Sequence, residues 1–501
     1  MRNNKPRAFC VGMVFLLGIG LIFSSTCSVG TENHGTEHAF PQFSLINEIK
    51  SDPESPFYIN FEDYPSQLES YPIGVFDSGT GGLSVLNAIL AMDLFNNRTH
   101  EKGSDGIPDF NSESFVYLGD KANMPYGRYP SEQNTDFLRE LIIKDVWFLL
   151  GSRFFQSSEE PIAEGEKKPV KAVVIACNTA TAYGIDLIEY VITEWGLNLK
   201  TIGIIDAGMK MALESVGSEE KALLGVFATQ GTCDSQGYIN AFEKALPETK
   251  KQKVDIIQQA CLGLAGAVDG DPAYISKDAV EIRGIGSYQG PGIRHQTHPV
   301  DLSLWKEYNF DQGNALLVKK DKQGEPNQVE LNSVRNYINY YVTSFVIRAI
   351  KSPEIRSLQT IILGCTHYAL FKKEFREHFL YLRTLDDRYK RFIPKDLIII
   401  DPAEAQAMAL YHHLSQNDLF SPNQPQKYQF FFSVPNPLLE ANVITPRREF
   451  PNDYKYSRCI NRSLVYVKRI PLKKELLSQD IIVKLKSSYP ALYEMMFSPN
   501  E

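Results

Sequence analysis

Seven short apolar runs recur along the chain, at Pro72–Phe76, Ser114–Leu118, Lys171–Ala176, Thr201–Ile205, Leu223–Ala228, Thr360–Gly364 and Asp396–Ile400. Their hydrophobicity is continuous rather than alternating, which is the pattern of strands covered on both faces. Several are followed by a polar or glycine-containing turn and then by a longer amphipathic stretch. Strand–helix alternation of this kind predicts an α/β architecture with mainly parallel sheets.

The rhythm is absent at the start of the chain and broken at three later places. Arg2, Lys5 and Arg7 precede an apolar run from Ala8 to Phe23, followed by Ser24, Ser25, Thr26 and Cys27. A basic start, a run shorter than the roughly 20 residues of a membrane span, and small residues after it read as a signal peptide or anchor over 1–27. Cys27 is a candidate for lipidation, although Ser24 stands where such a signal usually has Leu. The expectation is therefore export or membrane anchoring on the periplasmic side, with a cytoplasmic location as the alternative. Residues 28–71 read as a linker. A charged loop is expected at 154–169, an insertion at about 270–335, and an extension of unknown role at 415–501.

Composition narrows the class. The 501 residues are 43% hydrophobic and 22% charged, ordinary for a globular chain with a sizeable core. Lys and Arg number 52 against 60 Asp and Glu, a net charge of −8, so no broad nucleic-acid footprint is expected. Seven cysteines are too few and too scattered for a disulfide scaffold.

Two of those cysteines share one local grammar. Cys177 in AVVIACNT and Cys365 in TIILGCTH each end an apolar run and are followed by small hydrogen-bonding residues. In a parallel α/β sheet, ligands bind at the carboxyl ends of the strands. A thiol there faces the N-terminus of the next helix, whose partial positive charge favours thiolate. Two such thiols suggest a pair flanking one small anionic ligand. The bland reading of each, a buried hydrophobe, is more common for free cysteine, and it is the reading given to Cys233 and Cys261. A third element, IGVFDSGTGGLSV from Ile73, reads as strand, glycine turn and helix, with Asp77 and Ser78 at the strand end. It lacks the spacing of a phosphate loop. A zinc site at Cys177, Cys365 and His367 has no supporting ligand spacing, so no metal is expected.

In order along the chain, GVFDSGTGGLSVL (74–86), YLGDKANMPYG (117–127), ACNTATA (176–182), ATQGTCDSQGY (228–238), LGCTHYAL (363–370) and IIDPAEAQA (399–407) make the sequence resemble the glutamate racemases of the cofactor-independent aspartate/glutamate racemase family. The resemblance spans roughly residues 72 to 411. It implies two pseudo-symmetric α/β subdomains around a cleft, the first from 72–205 and 398–414, the second from 206–397. It also implies interconversion of L- and D-glutamate for peptidoglycan, without a cofactor. Cys177 and Cys365 would be the two acid–base thiols, tuned or oriented by Asp77 and His367. Substrate would be held by Asp77, Ser78, Tyr126, Gly127, Asn178, Thr179, Thr366 and His367, with Thr229 and Thr232 adding to the anion site.

The departures from the family pattern are local. Asp269 stands where many members have Glu, one methylene longer, and is a candidate supporting carboxylate for His367. Ala207 and Ala369 replace usual prolines. The partners implied are glutamate and a second copy of the chain, with membrane association through the N-terminus and no nucleic acid. The competing readings are an exported amino-acid-binding protein or inactive homologue, and a thiol-dependent decarboxylase or hydrolase.

Overall fold

The computed structural model describes residues 42–216, 221–246, 253–284, 286–351, 357–422, 426–439, 443–445, 448–462, 464–477 and 479–497. The expected signal or anchor at 1–27, with Cys27, lies outside them. Among the described residues, no helix is long and apolar enough to cross a membrane.

In chain order the strands are β1 (Ile73–Asp77), β2 (Phe115–Gly119), β3 (Arg153–Phe154), β4 (Gly165–Glu166), β5 (Ala172–Ile175), β6 (Lys200–Gly203), β7 (Ala222–Ala228), β8 (Val254–Ala260), β9 (Leu316–Lys320), β10 (Pro326–Leu331), β11 (Ser357–Gly364), β12 (Ile398–Ile400), β13 (Tyr428–Pro435) and β14 (Val467–Pro471). A six-stranded sheet runs β14-β13-β2-β1-β5-β6, and a four-stranded sheet runs β12-β11-β7-β8. The second is wholly parallel, and in the first only the β13–β14 pair is antiparallel. All seven strands expected from the apolar runs are present. Every residue of β1, β2, β5 and β7 is buried. Helices cover both faces, so each fully buried Val, Ile or Phe contributes about 1.5–3 kcal/mol.

Strand order fixes where a site can form. Neighbours β2 and β5 lie on opposite sides of β1, and in the smaller sheet β8 and β11 lie on opposite sides of β7. Such reversals open a crevice beyond the carboxyl ends of the strands. Cys177 follows β5 and Cys365 follows β11 directly, one thiol in each crevice.

Three stretches differ from expectation. The supposed linker is packed from residue 42 onward: its helix Ser44–Ser51 buries Leu45 and Ile49. Trp195 Nε1 donates to Ile46 O at 3.1 Å and Lys50 Nζ to Glu194 O at 2.8 Å. The 398–414 segment divides between lobes, because β12 belongs to the smaller sheet while the helix Pro402–Gln416 stitches to the larger one. From that helix the buried Gln406 donates through Nε2 to Ile175 O at 2.9 Å and Ile202 O at 2.7 Å.

The C-terminal extension is part of the larger sheet, since β13 lies parallel to β2 and β14 forms its edge. Among the described residues it carries Arg458, Lys468 and Arg469 inward. Arg469 meets the buried carboxylate of Asp145 at 3.1 Å. Arg458 donates to Asn123 Oδ1 at 2.6 Å and Tyr129 OH at 3.0 Å, with the rings of Phe137, Phe450 and Tyr466 against its guanidinium.

Candidate active site

Cys177 caps the N-terminus of the helix Asn178–Glu194, accepting the Ala180 N–H on its sulfur at 3.4 Å. Its thiol donates to Ser78 Oγ at 3.6 Å. Burial pushes the Cys177 thiol up to about 12, and the neighbouring Asp77 carboxylate pushes the same way. The helix-terminal N–H is therefore outweighed, and Cys177 rests as a thiol near neutral pH. Asp77 ends β1, and its Oδ2 accepts the Gly79 N–H at 2.9 Å. Burial raises the Asp77 carboxyl above its ordinary range, opposed by N–H groups of the glycine turn and by the charge on His367.

Cys365 sits differently. Instead of a helix N-terminus, a turn follows it and returns His367, whose Nδ1 lies 3.5 Å from the Cys365 sulfur. On the other side of the ring, Nε2 lies 3.1 Å from Asp269 Oδ2. Asp269 ends the short helix Leu264–Asp269, so the shorter acid still reaches the ring. Burial works against an imidazolium here, but the Asp269 carboxylate and the Cys365 sulfur outweigh it and hold the His367 pKa well above the ordinary value. Burial also opposes ionised Asp269, yet His367 brings its carboxyl below the usual range. The result is an ordered Asp269–His367–Cys365 relay in which both ring nitrogens donate.

The lobes meet at Gly81. A Cβ there would come within 2.6 Å of Thr366 Oγ1, 3.2 Å of His367 Cε1 and 3.6 Å of Asp77 Oδ2. Tyr117 holds the preceding turn by donating to Gly79 O at 2.9 Å. A second bridge is the buried Tyr238, which donates to Asn178 Oδ1 at 2.9 Å. Gly127 and Gly231 make a third, so close that a Cβ on Gly231 would lie 2.9 Å from Gly127 O.

Most of the expected residues gather at this junction. Asp77, Ser78, Asn178 and Cys177 come from one lobe, and Cys365, Thr366, His367 and Asp269 from the other. Thr179 Oγ1 lies 3.8 Å from a Cβ placed on Gly127. Thr229 caps the helix Gln230–Asp234, and its hydroxyl lies 3.0 Å from that of Thr232, so the two satisfy each other. Tyr126 departs from expectation. Its hydroxyl is buried between Asp120, 2.5 Å away, and Asp145, 2.6 Å away, holding two carboxyl groups together rather than facing the junction. Gly81 and Tyr238 were not singled out from sequence, although both lie inside the quoted motifs.

The cavity at the junction measures about 40 Å³ and is lined by Thr80, Gly81, Ser84, Asp269, Thr366 and His367 together with residues of the extension. That is far below the roughly 300–1,000 Å³ of small-molecule sites, and this cavity touches His367 but neither Cys177 nor Cys365. A larger cavity, about 500 Å³, lies behind the smaller sheet, lined by Cys233, Gln258 and residues of the insertion such as His298 and Tyr308. It touches neither Cys177 nor Cys365. Among the described residues, no cluster of His, Cys, Asp and Glu could hold a metal ion.

No family model matches the chain. A glutamate racemase of Staphylococcus epidermidis is 30% identical over 314 residues, covering 63% of this chain and 75% of its own. The chain belongs to the glutamate racemase family. A second relative, the glutamate racemase of Lactobacillus johnsonii, is 24% identical over 365 residues, covering 73% of this chain and 89% of its own. A solved glutamate racemase from Bacillus anthracis aligns with 73% of this chain and 89% of its own at 22% identity and a TM-score of 0.43. As a member of this family the protein is an isomerase.

Proposed function

We propose that the protein interconverts L- and D-glutamate by passing a proton between the two faces of the α-carbon, with Cys177 and Cys365 as the two acid–base groups. One observation carries this reading: two buried free thiols, each at the carboxyl end of a strand in a different sheet, joined through the contact of Gly81 with Thr366 and His367. An inverting proton exchange needs a base on one face and an acid on the other. In one direction the Cys365 thiolate takes the α-proton, leaving a carbanion whose charge spreads into the α-carboxylate, and the Cys177 thiol delivers its own proton to the opposite face. The cycle leaves Cys177 as thiolate and Cys365 as thiol, the starting state for the reverse direction.

The surroundings suit those roles. Cys177 is held as an acid by burial and by Asp77. The His367 imidazolium lies 3.5 Å from the Cys365 sulfur, where it would compensate negative charge formed during the reaction. Hydroxyls and amides of Ser78, Asn178, Thr179 and Thr366 are the right partners for the substrate carboxylates. Closure of the lobes over bound glutamate would remove water from the reacting carbon. The reaction would supply D-glutamate for peptidoglycan, and the N-terminal segment would direct or anchor the enzyme outside the cytoplasm.

The test replaces each cysteine separately with serine and follows both enantiomers by chiral chromatography. Loss of interconversion in both variants supports the reading. Retention in either one contradicts it.

A further inference from the structure

The C-terminal extension does more than add strands. Its helix Gln479–Ser488 lies across the junction, with Ile481, Lys484 and Leu485, and Tyr489 just beyond its end, lining the same 40 Å³ cavity as Asp269, Thr366 and His367. These four positions follow the spacing of one helical face, while Val483 and Lys486 face solvent. Leu485 is buried in the main hydrophobic cluster and anchors that face. Lysines on surface helices ordinarily extend their ammonium into water. Lys484 instead points inward and is half-buried. Burial lowers its pKa, and the charges of Asp269 and Cys365 oppose that loss.

We propose that Lys484 is a positioning residue of the racemase site: its ammonium sets the electrostatic potential of the Asp269–His367–Cys365 relay and favours the proton-poor form in which the Cys365 sulfur can accept the α-proton. The proposal rests on the two-cysteine reading above. Tyr489, which lines the same cavity, is pushed up to about 12 by burial and stays neutral. On the Cys365 side the titratable neighbours are Tyr238, Tyr368 and Cys261, each kept neutral because burial raises its pKa well above the ordinary value. On the His367 side they are Asp269 and, across the junction, Asp77. Facing Lys484 itself are Asp269 and Cys365.

Removing a cation raises the pKa of every acid near it, whichever group governs the rate. Lys484→Met keeps the aliphatic stem and deletes the charge, so the whole pH profile of kcat/KM should move upward by about one unit. On the acid limb that is about a tenfold loss. Both reaction directions must change by the same factor, because enantiomers have equal free energy. Lys484→Arg keeps the charge and should leave the profile near that of the parent.

The experiment measures kcat/KM against pH in both directions for the full chain, Lys484→Met and Lys484→Arg, with Cys177→Ser and Cys365→Ser alongside. An upward shift in the methionine variant, absent in the arginine variant, is the expected result. Superimposable profiles for methionine variant and parent overturn the proposal, as does an equal shift in both lysine variants, which would mark a packing effect. If either serine variant still racemises, the two-cysteine reading fails instead, whatever Lys484 does.

Discussion

Gly81→Ala isolates the contact between the lobes. Gly81 has φ −60° and ψ −38°, so alanine adopts its backbone without strain and only the added methyl group matters. That methyl would lie 2.6 Å from Thr366 Oγ1, about 0.8 Å short of ordinary 3.4 Å contact, and 3.2 Å from His367 Cε1. Thr366 is β-branched and has few rotamers with which to retreat. The strain therefore passes to the turn that carries His367 and Cys365. Overpacking of this kind costs about 1–3 kcal/mol. A displacement near 1 Å at a reacting group costs on the order of 100-fold in rate. The assay is kcat/KM in both directions, with circular dichroism confirming a folded protein at the assay temperature. The expected result is a folded enzyme with kcat/KM lower by one to two orders of magnitude. Activity within about twofold of the parent would refute the reasoning, because the lobes would then not meet at Gly81 in the working enzyme.

Three further outcomes concern titratable side chains. Asp269→Asn removes the anion that sustains the His367 imidazolium, so the ring should titrate at lower pH by nuclear magnetic resonance and kcat/KM should fall about tenfold, the scale of one pKa unit. Asp269→Glu should retain most activity. His378 is buried against Thr343 Oγ1 at 2.8 Å, and burial lowers its pKa to about 3. Between pH 6.5 and about 3 the unfolded chain binds a proton that the folded chain refuses, so stability is lost by about 1.4 kcal/mol for each unit the pH is lowered through that window. His378→Gln should flatten that dependence in denaturant titrations. Arg469→Met strips the guanidinium from the buried Asp145 carboxyl, whose pKa burial and the neighbouring Asp120 hold well above the usual carboxylate range, and should destabilise the fold by about 1–3 kcal/mol in the same measurement, showing that the extension is integral to it.

The parts legible in the sequence were those with local causes. Strands β1, β2, β5, β6, β7, β11 and β12 announce themselves as continuous apolar runs, and both cysteines lie at the ends of such runs. Strand β8 was missed because VDIIQQA ends in glutamines, whose side chains are polar although the backbone pairs with β7. Strands β13 and β14 were missed for a different reason. Tyr428–Pro435 pairs with a strand some 300 residues earlier, and its partner β14 carries Lys468 and Arg469, both buried against groups remote in sequence. Periodicity cannot reveal a buried arginine whose carboxylate lies elsewhere in the chain. The same holds at the site: the family resemblance puts forward Asp269 as a carboxylate for His367, but nothing in the sequence shows that Lys484 faces the relay. Tyr126 sits in a family motif, yet its hydroxyl is committed to Asp120 and Asp145, a pairing visible only in three dimensions.

The most direct test of the central claim is α-proton exchange in deuterium oxide. Folded, reduced protein is incubated separately with L- and D-glutamate, and deuterium at the α-carbon is followed by mass spectrometry together with chirality. The expected result is deuterium in the inverted product from both enantiomers, abolished as racemisation by serine at either Cys177 or Cys365. Inversion without solvent deuterium, or no exchange from either enantiomer, would contradict the account.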